Sequence, residues 1–131
     1  MTKHHGSCHC GAVTFEATFE LKTASRCNCT ICTKLMWTGV IMKPDAFRLL
    51  SGEGDLSGYV WGGKISTRHF CKHCGVQCFG KGHLDVLGGD FVSVNVNALE
   101  GVEVHEVPLI HFDGRHDNWQ AGARDKPWPI A

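Results

Sequence analysis

The chain has 131 residues, with 13 Lys and Arg against 13 Asp and Glu and a formal net charge of zero. That length supports one ordinary domain covering 1–131. The balanced charge lacks the basic footprint left by nucleic-acid or anionic-membrane partners, and no apolar run reaches the ~20 residues needed to span a bilayer.

The opening residues, Met1-Thr2-Lys3-His4-His5-Gly6, lack the apolar core of a signal peptide. A reducing, cytoplasmic setting is therefore expected. Residues 1–5, including His4 and His5, are expected to be flexible, as are the last few of the chain. Val13, Phe15, Ala17 and Phe19 then alternate with Thr14, Glu16 and Thr18, the period of a half-buried strand. Residues 30–35 suit a short helix. Residues 37–42 and 47–50 read as strands, and residues 59–61 and 66–70 as a pair joined by Gly62-Gly63-Lys64. Residues 76–79 form a further strand. Val92, Val94 and Val96 alternate with Ser93, Asn95 and Asn97, and residues 109–112 make the last strand. The sum is a mainly β fold of twisted antiparallel sheets joined by metal sites, with few short helices.

The metal sites come from the cysteines. Eight of them fall into three clusters: Cys8-x-Cys10-Gly11, Cys27-x-Cys29-x2-Cys32, and Cys71-x2-Cys74-Gly75 with Cys78 just behind. Spacings of one and two residues let neighbouring thiolates reach one cation, and a following glycine lets the backbone turn behind them. In a chain without a secretory signal this favours zinc over disulfides. The first and third clusters supply two thiolates each and make a complete tetrahedral set, a structural zinc that clips the first strand to a hairpin far downstream.

The middle cluster supplies three thiolates. One reading is a second structural zinc, with Cys78 or a histidine as fourth ligand. The other is an open site whose fourth position takes water or a substrate thiolate. A three-thiolate zinc is a weaker Lewis acid than a three-histidine one and suits thiolate exchange better than water activation. The open reading makes Cys27, Cys29 and Cys32 the catalytic set and leaves Cys78 as a buried small hydrophobe.

Around the middle cluster, Arg26 and Lys34 could pair with the carboxylates of a thiol such as glutathione, and Trp37 could wall its pocket. Asp113, Arg115, His116, Asp117 and Trp119 form a dense polar segment. It reads first as a hydrogen-bonded turn locking the C-terminus, and second as a place where His116 moves a proton. His9 and His73, between paired ligands, are expected to point outward.

Four motifs taken together resemble the glutathione-dependent formaldehyde-activating family. They are Gly6-Ser7-Cys8-His9-Cys10-Gly11-Ala12-Val13, Cys27-Asn28-Cys29-Thr30-Ile31-Cys32, Phe70-Cys71-Lys72-His73-Cys74-Gly75, and Phe112-Asp113-Gly114-Arg115-His116-Asp117-Asn118-Trp119. The resemblance implies a zinc-bound, β-rich Mss4-like fold. It implies a structural zinc on Cys8, Cys10, Cys71 and Cys74, and a catalytic zinc on Cys27, Cys29 and Cys32. It implies a carbon–sulfur lyase that forms S-(hydroxymethyl)glutathione from formaldehyde, with glutathione as co-substrate. The expected partners are thus a small-molecule thiol and an aldehyde, with no nucleic acid and no membrane. The family also includes proteins like centromere protein V with proposed structural roles, so the alternative is a non-catalytic protein-binding module in which both zincs are structural. A further reading, compatible with catalysis, is a redox-labile middle zinc released when its thiolates oxidise.

Overall fold

A computed structural model describes residues 1–131. The chain is mainly β, and it divides into two compact units. The first comprises residues 1–20 and 41–102, the second residues 21–40 and 103–131.

In the first unit, β1 (Thr2–Ser7), β2 (Thr14–Phe19) and β5 (Phe47–Ser51) form a three-stranded antiparallel sheet in the order β1-β2-β5. The alternation in β2 does what its period requires: Phe15, Ala17 and Phe19 are buried while Thr14, Glu16 and Thr18 are half-exposed. Each buried phenylalanine stabilises the unit by roughly 1.5–3 kcal/mol relative to an exposed one. Phe15 stacks on Phe47 at 5.5 Å, and Phe47 meets Phe79 at 4.6 Å.

The N-terminal residues differ from the expectation of a loose end. They form β1, paired with β2 from Thr2↔Phe19 to Ser7↔Thr14. Cross-strand partners explain how so polar a segment is held. His4 lies 4.7 Å from the Phe19 ring, and Lys3 Nζ lies 3.9 Å from Glu16. Gly6 matters because a Cβ there would sit 2.1 Å from the Phe15 ring.

The same unit carries four antiparallel strands in the order β9-β8-β7-β6: β6 (Leu56–Tyr59), β7 (Ser66–Cys71), β8 (Gln77–Leu84) and β9 (Gly89–Asn95). Phe79, Phe91, Val92, Val94 and Val96 supply core from these strands and the turn that follows.

In the second unit, β3 (Ala24–Cys27) pairs with β10 (Leu109–Phe112), from Leu109↔Ala24 to Phe112↔Cys27. This pair is parallel, unlike the all-antiparallel expectation. The long separation between the two segments gives room for the crossover a parallel pair needs. β3 also meets β4 (Gly39–Met42) through Ser25↔Gly39, and β4 leads the chain into the first unit. Between them lies the one α-helix, α1 (Thr30–Leu35), closed by Met36 in the left-handed region. No helix is long and apolar enough to cross a membrane.

Candidate metal centres

The first unit brings two knuckles together. Cys8 and Cys10 sit in the turn between β1 and β2, while Cys71 ends β7 and Cys74 sits in the turn that leads to β8. The turns are built alike. Cys8 N–H donates to the Val13 carbonyl at 2.9 Å, and Cys71 N–H to the Val76 carbonyl at 3.0 Å. Gly11 and Gly75 follow the second cysteine of each pair at φ of 85° and 79°, a conformation that favours glycine. His9 and His73 are exposed, and His73 Nε2 lies 2.7 Å from Asp55, away from a ligand role.

The sulfur atoms of Cys8, Cys10, Cys71 and Cys74 all lie within 4.8 Å of one another. Cys8–Cys10 and Cys10–Cys71 are 3.7 and 3.6 Å apart. A tetrahedron with zinc–sulfur arms of ~2.3 Å has edges of about 3.8 Å, close to the Cys8–Cys10 and Cys10–Cys71 separations, so these four atoms could hold a zinc ion. Protonation points the same way. The Ala12 amide pulls the Cys10 thiol down, but burial and the protons shared with Cys71, Cys8 and Cys74 push it up to about 11. Cys74 is drawn down to about 6, first by the Cys10 and Val76 amides. Four thiols this close cannot all ionise on their own, whereas a divalent cation removes the conflict. Cys78 has no exposed surface, and burial followed by the four neighbouring sulfurs pushes it up to about 12. It behaves as buried packing.

The second unit holds the middle cluster. Cys27 ends β3, Cys29 caps α1, and Cys32 lies buried in that helix. The Cys27 thiol is held well below the usual thiol range, first by hydrogen bonds from the Cys29 and Cys32 thiols, then by the N–H groups of Cys29 and Gly114. Cys29 moves the opposite way, raised by the proton it shares with Cys27. The Cys27 thiol thus has Cys29 and Cys32 as hydrogen-bonding neighbours. That donor set is soft and suits zinc.

The polar segment at 113–119 wraps this cluster. Asn28, between the first two cysteines, donates from Nδ2 to Asp113 at 2.7 Å and to the Pro129 carbonyl at 3.0 Å. Its Oδ1 accepts from the Arg115 amide, and its carbonyl accepts from Arg115 Nε. Asp113 is buried and also accepts from His116 and Asn118. Burial alone would raise its carboxyl; the bonds from Asn28, His116 and Asn118 outweigh that and hold it below the usual range. Gly114 packs against the cluster, since a Cβ there would lie 2.6 Å from Cys27 Sγ and 2.8 Å from the Trp119 ring.

A pocket of about 250 Å³ opens beside Cys27 and Cys32. Arg26 and Trp37 line it, with His111, Phe112 and Trp128 opposite in sequence. Arg26 Nε donates to Thr38 Oγ1 at 3.0 Å. Burial, then the charges of Arg26 and Arg124, lower the pKa of His111 and favour its neutral ring. Lys34 is exposed and does not line the pocket. Asn28, Gly114, His111 and Trp128 were not singled out from the sequence. Asn28 sits inside a cysteine motif and Trp128 inside Pro127-Trp128-Pro129, the local signals available for them.

The model of the glutathione-dependent formaldehyde-activating enzyme family matches residues 3–111. The chain belongs to that family. A crystal structure of a Rhodobacter sphaeroides protein is similar to it, at 29% identity and a TM-score of 0.68, over 80% of this chain and 98% of the other. Family membership associates the chain with glutathione-dependent formaldehyde activation, and the four-cysteine set can hold a metal ion.

Proposed function

We propose that the protein is a zinc-dependent carbon–sulfur lyase joining a thiol, glutathione in the family's reaction, to formaldehyde. On this reading Cys8, Cys10, Cys71 and Cys74 hold a structural zinc, and Cys27, Cys29 and Cys32 a second one in an open site. The observation that carries it is the pocket beside Cys27 and Cys32, with a cation, Arg26, on its wall.

Bound there, zinc would lower the pKa of a substrate thiol and polarise an aldehyde carbonyl. In the forward reaction a sulfur–carbon bond forms, the carbonyl π bond opens, and the thiol proton ends on the former aldehyde oxygen. The reverse reaction returns thiol and aldehyde. The chain's own residues have definite parts. The Cys29 and Gly114 amides hold negative charge on Cys27. The Asn28–Asp113–Arg115 network fixes the loop that carries the sulfurs. Trp37, Trp128 and Phe112 give the reacting sulfur an apolar wall. His116 is tied to Asp113 at 2.6 Å, which favours the locking role over proton transfer.

The test is adduct formation from formaldehyde and glutathione, measured above the spontaneous reaction. Wild type should exceed background, and Cys29→Ser should fall to it. Cobalt substituted at the middle cluster should change its visible spectrum when glutathione is added, while cobalt at the four-cysteine site should not. A zinc-replete wild type with no rate above background and no spectral response would leave the protein-binding module as the better reading.

A further inference from the structure

The pocket beside Cys27 and Cys32 is asymmetric in charge. Among the residues that line it, Arg26 is the one cation, and no carboxylate is present. His111 adds a neutral ring. The two other arginines in this unit do not line the pocket. Arg124 lies 3.8 Å over the Trp128 ring and donates to the Lys126 and Pro127 carbonyls. Arg115 Nε is tied to the Asn28 carbonyl. Arg26 uses Nε on Thr38, which steadies its stem and leaves the two terminal nitrogens for a ligand. Trp37, Phe112, Trp128 and Ile130 make the rest of the wall largely apolar. The volume, about 250 Å³, lies below the roughly 300–1,000 Å³ of pockets that enclose drug-sized ligands.

We infer that Arg26 selects the thiol by a single carboxylate, and that only a compact mercaptocarboxylate segment enters the pocket. When the thiol is glutathione, that segment is its cysteinylglycine end. Glutathione carries two carboxylates and one ammonium. The ammonium end would find no carboxylate among the lining residues, and on the lyase reading the Cys27 and Cys32 sulfurs are taken up by the metal, so burying it is costly and it stays in water. A free mercaptocarboxylic acid presents the same recognised chemistry. This inference rests on the lyase reading for its reacting sulfur, but the binding step can be measured apart from turnover.

Trp37 and Trp128 line the pocket, so tryptophan emission reports binding. Thioethers remove the thiol that a metal would ionise and isolate the carboxylate. The zinc-loaded protein is titrated with 3-(methylthio)propionate, its methyl ester and S-methylglutathione. The acid should bind at least tenfold more tightly than the ester. Arg26→Gln should erase that ratio, and Arg26→Lys should keep part of it, since charge survives but the planar fork is lost. S-methylglutathione binding as tightly as the small acid identifies the tripeptide as the source, and much weaker binding identifies a free mercaptocarboxylate; either supports selection by one carboxylate.

An acid-to-ester ratio near one in the wild type overturns the inference, and so does a ratio that survives in Arg26→Gln. The wild-type comparison decides alone if Arg26→Gln does not fold. A carboxylate preference without turnover above background would sink the lyase reading and leave this inference standing. Turnover without the preference would do the reverse.

Discussion

At the scale of single residues, Asp113 does more than its exposed neighbours. Its two oxygens accept from Asn28, His116 and Asn118, and through Asn28 they hold the loop carrying Cys27 and Cys29. Asp113→Asn keeps the shape but turns one acceptor into a donor facing other donors. Leaving such a buried group unsatisfied costs about 1–3 kcal/mol. The pH dependence has a definite sign. The folded carboxyl titrates below its unfolded value. Its ionised form therefore contributes stability above the unfolded value, about 3.9, and that contribution is lost as pH falls through the folded value. The melting temperature of Asp113→Asn should be several degrees below wild type at pH 7, and the gap should narrow by pH 3. Thermal denaturation at both pH values checks this. A gap that stays constant, or widens in acid, would show that the charge of Asp113 contributes nothing to the fold.

At the scale of elements, the legible parts of the fold were those whose side chains carry the period. Phe15, Ala17 and Phe19 announced β2, and Val92 and Val94 announced β9, because one face of each is buried. The helix around Cys32 and the knuckles at Cys8–Gly11 and Cys71–Gly75 were legible because ligand spacing constrains the backbone directly. β1 was not, since Thr2, Lys3, His4 and His5 are held by cross-strand partners. Nor was β3, where Ser25 and Arg26 give no alternation and the strand depends on β10, far away in sequence. The pocket was half legible: Arg26 and Trp37 flank the cysteines, while His111 and Trp128 arrive through that parallel pairing.

The knuckles also carry a prediction. Cys10 and Cys71 are 61 positions apart, so a metal across them closes a long loop and removes much chain entropy from the unfolded state. Cys27, Cys29 and Cys32 close a ring of a few residues and remove little. Cys71→Ser should lower the melting temperature sharply or yield insoluble protein, and Cys29→Ser should lower it far less while abolishing turnover. Equal losses of stability would mark the middle cluster as structural.

At the scale of the whole molecule, the two cysteine sets fall in different units: Cys8, Cys10, Cys71 and Cys74 in the first, Cys27, Cys29 and Cys32 in the second. The four-cysteine set draws its sulfurs from two separate turns, so a metal held there would tie two elements together. On the proposed reading the middle set offers three protein ligands and adjoins a pocket, so a chelator would reach it with the fold intact. Protein purified under reducing conditions should therefore carry about two equivalents of zinc and lose them in two kinetic steps. The fast step should accompany loss of turnover and faster hydrogen exchange at the amides of Cys29 and Gly114, with little change in melting temperature. The slow step should expose the amides of Cys8, Val13, Cys71 and Gly75 and coincide with unfolding, because metal binding there is coupled to folding. A single equivalent after full loading, or both ions leaving in one step with the fold, would mean that the middle cluster is not an independent open site, and the lyase reading would lose its metal.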